Sequence, residues 1–259
     1  MFCPPLTITF LGTGTSTGVP MIACECEVCT STDPKNTRLR SSILVQSATT
    51  CLVVDTTPDF RYQMLRARVK KLDAVLFTHP HKDHIAGLDD VKAFSFATGN
   101  AMQVYANELT QEALKREFKY VFAAHKYPGI PDIDLRTINM NAFYVGDIPV
   151  LPVLVWHLNM PVLGFRFGKF TYITDANKIE AIEKEKIIGS QIMVINALRY
   201  QSHLSHFTLK EAIEMVEELK VPQAYLTHIS HQLGLYSIIQ QLLPAGIALG
   251  YDGLQLHIT

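Results

Sequence analysis

Thr78-His79-Pro80-His81-Lys82-Asp83-His84 brings three imidazoles and a carboxylate into one short stretch. Imidazole nitrogen and carboxylate oxygen are the donors that suit zinc, manganese or iron. The cluster directly follows the apolar run Ala74-Val75-Leu76-Phe77, which predicts a buried strand. In a loop leaving that strand, the alternating His79 and His81 can face one way while Asp83 and His84 reach a second position. Two metal ions lying close together are the natural geometry. A polar loop in which Asp83 merely caps the next helix explains the aspartate and none of the three histidines.

More donors stand where other apolar runs stop. His157 follows Val153-Leu154-Val155-Trp156, Asp175 follows Phe170-Thr171-Tyr172-Ile173-Thr174, and His228 follows Ala224-Tyr225-Leu226-Thr227. Any one of these, alone, could be a hydrogen-bonded core residue. Three such positions, added to the 79–84 loop, favour one shared site, because donors at the ends of separate strands converge on one sheet edge. Asp55 also ends a strand; it can be a turn residue or an acceptor that orients a ligating imidazole. Cys24, Cys26 and Cys29 form a Cys-x-Cys-x-x-Cys pattern that can turn all three sulfurs toward one ion. Cys3 and Cys51 have no partner in that pattern, and Cys51 reads as a buried small residue.

The elements that must carry these side chains follow from the hydrophobic pattern. Strands are expected at 6–11, 42–45, 51–55, 74–77 and 104–105, and again at 135–139, 142–145, 149–156, 162–167, 170–174, 191–195, 223–227, 246–249 and 254–258. Helices are expected at 59–68, 85–94, 108–118, 209–219 and 236–242. Gly12-Thr13-Gly14-Thr15-Ser16-Thr17-Gly18 matches neither the dinucleotide nor the P-loop spacing. It predicts a tight turn, and its amides and hydroxyls could equally face a ligand. No linker or fixed-period repeat interrupts the chain, so residues 1–259 read as one domain of two facing sheets with helices outside.

The 259 residues, 48% of them hydrophobic, can bury a sizeable core. A net charge of −1 without basic runs predicts no dedicated nucleic-acid or membrane surface. The first residues lack a basic n-region, and no apolar stretch approaches the roughly 20 residues that cross a bilayer. The expectation is a soluble cytoplasmic protein whose five cysteines are metal ligands or free thiols rather than disulfides.

The His-x-His-x-Asp-His loop, with the later His157, Asp175 and His228, resembles the metallo-β-lactamase superfamily of binuclear hydrolases. Within it, the cysteine motif, Leu226-Thr227-His228-Ile229-Ser230-His231-Gln232 and the closing Gly250-Tyr251-Asp252-Gly253 are similar to PhnP-type phosphodiesterases. The resemblance runs nearly end to end, although residues 95–150 carry no diagnostic motif. It implies an α/β fold, the four-layer αββα sandwich. It implies that His79, His81 and His157 hold one divalent ion, that Asp83, His84 and His228 hold the other, and that Asp175 bridges them. The ions would be manganese or zinc, with iron also admitted by the donor set. It also implies a structural zinc subsite, in which the 19–40 loop supplies the three cysteines and His231 the fourth ligand. His206, in Ser205-His206-Phe207-Thr208, matches a proton-donating histidine, whereas His203, three residues earlier, lacks that context. His125 and His257 fit no motif and read as surface or rim residues.

The expected reaction is hydrolysis of a small phosphodiester, foremost a ribose cyclic phosphate, by a hydroxide held between the two metals. Asp83 would orient it and His206 would protonate the leaving alkoxide. Transfer-RNA 3′ endonuclease and glyoxalase-II-like thioesterase activities are the rival hydrolase readings. A nucleotide-binding or scaffold protein on the same fold is the rival outside catalysis, and it would be expected to have lost ligands. A homodimer is implied by the resemblance alone.

Overall fold

The computed structural model describes residues 2–125 and 127–259. Its first half contributes β1 (Leu6–Gly12), β2 (Ser42–Gln46), β3 (Cys51–Val54), β4 (Ala74–Leu76), β5 (Met102–Ala106) and β6 (Ile133–Thr137). The second contributes β7 (Phe143–Val145), β8 (Ile148–His157), β9 (Met160–Phe167), β10 (Phe170–Tyr172), β11 (Ile192–Asn196), β12 (Gln223–Thr227) and β13 (Ile247–Leu249). The last strand, β14 (Gln255–Ile258), returns to the first sheet beside β1. Among the described residues these form two seven-stranded sheets, ordered β14-β1-β2-β3-β4-β5-β6 and β13-β12-β11-β10-β9-β8-β7.

Period-two alternation sorts each strand between two apolar layers. Leu52 and Val54 of β3 join Phe165 of β9 and Tyr172 of β10 in the core between the sheets. Cys51 and Val53 face the other way, into a second core with Phe60, Met64, Phe94 and Leu114. Those four lie in or beside α1 (Phe60–Arg66), α3 (Lys92–Thr98) and α4 (Glu108–Glu117), α2 (Lys82–Ile85) being the short helix of the histidine loop. Across the molecule, α5 (Ala181–Ile187), α6 (Leu209–Glu218) and α7 (Tyr236–Leu242) cover the outer face of the second sheet through Ile187, Ala212, Val216 and Ile239. Each such buried aliphatic or aromatic side chain stabilises the fold by roughly 1.5–3 kcal/mol relative to exposure. The layers are helices, sheet, sheet, helices, the α/β sandwich of the metallo-β-lactamase type.

Several elements differ from the sequence expectation, among them β5, which runs over Met102–Ala106 where 104–105 was expected. The helix expected at 85–94 is broken into α2, a 3-10 turn at Leu88–Val91 and α3. The break falls at Gly87, where a Cβ would lie 2.3 Å from the Thr57 carbonyl oxygen and 2.6 Å from Phe60 Cβ. The strand expected at 135–139 starts earlier, as β6, pairing in parallel with β5. Helix α5 was not expected at all: only Glu183 and Ile187 of it are buried, too narrow an apolar face for the pattern to register.

The parallel strands β3, β4, β10, β11 and β12 end at one edge, and each end carries a polar residue of the site. Three of these, Asp55, Asp175 and His228, adopt left-handed φ of 66°, 52° and 54°. L-residues enter that region at a cost of about 1–2 kcal/mol, and such strain persists where surrounding contacts over-determine it.

Candidate metal centre

Six imidazoles close a ring around the Asp175 carboxylate. Successive ring centroids are 4.1 Å apart for His79–His84, 5.9 Å for His84–His228, 4.9 Å for His228–His206, 4.5 Å for His206–His157, 5.1 Å for His157–His81 and 4.7 Å for His81–His79. Asp175 Oδ1 is 2.9 Å from His228 Nδ1; its Oδ2 is 3.3 Å from His84 Nε2, 3.5 Å from His206 Nε2 and 3.6 Å from His79 Nε2. Asp83 joins through Oδ2, 3.3 Å from His84 Nε2. The donor atoms fall into three overlapping groups that share Asp175: Asp83/His84/His228, His79/His81 and His157/His206. Every metal-ligand position expected in the catalytic pair lies within this ring or beside it. His157 groups more closely with His206 than with His79 and His81, and His206 thereby gains ligand-capable geometry that the sequence did not suggest.

The outer ring nitrogens are held by residues that position the inner ones. His84 Nδ1 lies 2.7 Å from Asp55 Oδ2, and His79 Nδ1 lies 2.8 Å from Thr78 Oγ1. Thr78 in turn donates its amide and hydroxyl to Asp55. His228 Nε2 lies 3.2 Å from Thr15 Oγ1, which gives the glycine loop a role at the site. Behind Asp175, the side-chain amide of Asn196 pairs with both the N–H and the carbonyl of Ala176, at 2.9 Å each. Thr15 lies in the glycine loop whose hydroxyls could face a ligand and Thr78 opens the histidine stretch, whereas Asn196 carries no motif and only its contacts reveal it.

Among the described residues the inner nitrogens form no well-aligned hydrogen bond, Asp175 being the carboxylate that four of them approach. His79 Nε2, His84 Nε2, His157 Nδ1, His206 Nε2 and His228 Nδ1 are all buried in this way. Five such buried nitrogens directed at one region would be costly in a protein that put nothing there. The donor chemistry and this arrangement fit divalent cations.

Charge follows the same geometry. Burial pushes the His79 pKa well below its ordinary value, and His84 adds to the effect. For His84 burial also works downward, but the carboxylates of Asp175, Asp83 and Asp55 outweigh it and raise its pKa. Burial alone would raise Asp175, yet His228 and His84 hold it well below the usual carboxylate range. Asp83 is likewise lowered, burial being outweighed chiefly by His84. His206 is pushed down to about 4, principally by burial. Its Nδ1 lies 3.1 Å from His203 Nδ1 and 3.2 Å from Ser205 Oγ.

A second donor group stands apart. Cys24, Cys26, Cys29 and His231 gather as four ligand-capable residues, with His231 Nδ1 3.4 Å from Cys24 Sγ and 3.2 Å from Cys26 Sγ. The hydrogen bond with His231 is the main reason Cys26 falls to about 6, whereas burial pushes Cys29 up to about 11. The turn after β12 therefore serves both groups, His228 facing Asp175 and His231 facing the sulfurs. Cys51 is buried in the outer core, while His125 and His257 are exposed.

Comparison with known proteins agrees with this geometry. The β-lactamase superfamily domain matches residues 50–229. A crystal structure described as a new diphosphatase from the PhnP family superposes with a TM-score of 0.92 at 41% identity, covering 98% of each chain. An octanoyltransferase of Porphyromonas gingivalis is 38% identical over 251 residues, which is 96% of this chain and 51% of that protein. The chain thus spans about half the length of that relative. The exodeoxyribonuclease WalJ of Streptococcus pneumoniae is 25% identical over 215 residues, 73% of this chain and 77% of its own.

Proposed function

The chain belongs to the metallo-β-lactamase superfamily, on its PhnP-like branch, and from that premise we propose a metal-dependent hydrolase of small phosphodiesters, foremost a ribose cyclic phosphate. The observation that carries the reading is the ring of imidazoles whose inner nitrogens surround Asp175.

In this proposal His79 and His81, with His157, would hold one cation, Asp83, His84 and His228 would hold the other, and Asp175 lies within reach of all these groups. Two bound divalent cations would supply the positive field that offsets the phosphate's charge and would bring a water's pKa from about 15.7 toward 7. The protein's own residues do the rest. Asp83, a carboxylate at neutral pH, accepts a hydrogen bond from the attacking water and aims it. His206 faces Asp175 through Nε2 and has its Nδ1 against His203 and Ser205, so its inner nitrogen can carry a proton to the departing oxygen. Burial keeps His206 neutral in the free protein at neutral pH; the substrate's anionic phosphate is what favours its charged form.

The diphosphatase neighbour supports a second reading, cleavage of a phosphoanhydride. A departing phosphate is a weak base that needs little protonation, whereas an alkoxide needs a proton. A general acid at position 206 therefore favours the diester. WalJ, named for phosphodiester cleavage in DNA, supports the same bond type. The octanoyltransferase name supports including an acyl thioester among the substrates tested, although that protein is about twice as long. Metal-quantified protein assayed on cyclic and linear phosphodiesters, a dinucleoside diphosphate, precursor transfer RNA and an octanoyl thioester decides the class. Preference for a cyclic diester is expected; turnover of the thioester alone would overturn the reading, and turnover of the diphosphate alone would select the second one. Activity confined to precursor transfer RNA would select the endonuclease.

Among the described residues no helix is long and apolar enough to cross a membrane. A cytoplasmic enzyme acting on a small substrate, as a homodimer, is the setting we propose.

A further inference from the structure

Two residues past Asp175, the side chain of Asn177 joins segments that lie far apart in sequence. Its Oδ1 accepts from the Leu158 amide at 2.9 Å, and its Nδ2 donates to the Leu204 carbonyl at 2.9 Å. One partner is an N–H and the other a carbonyl, so only this orientation of the amide satisfies both. Leu158 follows His157 directly, in a left-handed conformation with φ of 57°. Leu204 lies two residues before His206.

The rest of the neighbourhood shows why this contact matters. Beyond His206 the chain is anchored by the backbone, Phe207 N–H donating to the Ala176 carbonyl at 2.7 Å and Leu198 N–H to the Phe207 carbonyl at 3.0 Å. Before His206 the segment has little packing to hold it: Leu204 is 79% exposed and Tyr200 is 49% exposed. On that side the Asn177 amide ties Leu204, while the Arg199 side chain donates to the Gln201 and Ser202 carbonyls. The backbone N–H of Asn177 is fixed to the Trp156 carbonyl at 2.8 Å, so the brace is rooted beside His157. His157 and His206 face each other across 4.5 Å.

We propose that Asn177 is a positioning residue that sets His206 against His157, holding one through Leu204 and the other through Leu158. The brace itself stands on the contacts; its consequence for proton donation rests on the phosphodiester reading. A side chain able to swing away from the site would still leave the metal ligands in place. It would fail only where the departing oxygen needs a proton.

The test separates these two levels. Hydrogen exchange on the free protein needs no substrate: Asn177→Ala should speed exchange at Leu158 and at 202–206. Asn177→Asp keeps the acceptor and loses the donor, so it should speed 202–206 and leave Leu158 protected. Exchange unchanged in both variants would overturn the brace. Steady-state kinetics then compare two diesters of the same phosphate, one releasing an alkoxide and one releasing nitrophenolate. Asn177→Asp, which keeps the tie beside His157, should lose on the order of tenfold in kcat on the alkoxide substrate, part of what a general acid supplies, with KM, metal content and nitrophenolate release little changed. Equal losses on both substrates, or loss of metal, would show a merely structural role and overturn the proposal. If the unaltered protein cleaves neither diester, the phosphodiester reading fails while the exchange result still decides the brace.

Discussion

Asp55 Oδ2 lies 2.7 Å from His84 Nδ1, and both side chains are completely buried. The same carboxylate accepts the amide and hydroxyl of Thr78, whose Oγ1 also touches His79 Nδ1. One carboxylate therefore orients the imidazoles at both ends of the histidine loop.

Asp55→Asn keeps the shape but leaves a weaker acceptor and an amide with no place for its donors. Affinity for divalent metal should fall by about 10–100-fold, the usual effect of removing a partner behind a ligating imidazole. Competition against a chelator measures it, and unchanged affinity would refute the role.

His206→Ala should lower turnover on an alkoxide-releasing diester by roughly 10²–10⁴-fold with both metal equivalents retained. Metal loss in that variant would mean that His206 is a ligand first, as its grouping with His157 and Asp175 permits.

The pH dependence of stability has a definite sign at the same residue. Burial lowers the folded His206 pKa to about 4 from 6.5, so between those values the unfolded chain binds more protons. Stability is therefore lost as pH falls from 6.5 toward 4, by about 1–3 kcal/mol from this residue. In metal-free protein, denaturant titrations of His206→Asn should show a shallower decline over that window. Parallel declines would count against it.

Cys26→Ser should release about one zinc equivalent and lower the melting temperature, because structural metal contributes directly to folding. Cys26 meets His231 at 3.2 Å, so the loss should begin at the sulfur group and leave the catalytic pair initially filled. Elemental analysis with a thermal scan checks both, and undiminished zinc would remove the subsite.

Gly87→Ala places a methyl 2.3 Å from the Thr57 carbonyl oxygen. Backbone there cannot yield cheaply, and a destabilisation of about 1–3 kcal/mol is expected from the forced shift. Equilibrium unfolding measures it; a neutral result would show that the α2–α3 break adjusts freely.

Residue identity and short-range spacing determined much of this protein. The three histidines and Asp83 announce metal chemistry because few other roles require that density of donors, and period-two alternation places β3 and β4 between apolar layers. The apolar runs ending at Trp156, Thr174 and Thr227 locate the other donors within a residue. Spacing could not choose His231 as the partner of the cysteines, nor find α5, whose narrow buried face leaves no periodic trace.

Only the closure of the two sheets decided which groups meet. Thr15 and His228 touch across 213 positions, Asn177 reaches Leu204, and Asn196 holds Ala176 through bonds that no local pattern encodes. The physical reason is that ligand type is a property of a side chain, while its orientation is set by the hydrogen bond its other end can find. That partner is supplied by whichever distant segment the packed cores bring alongside.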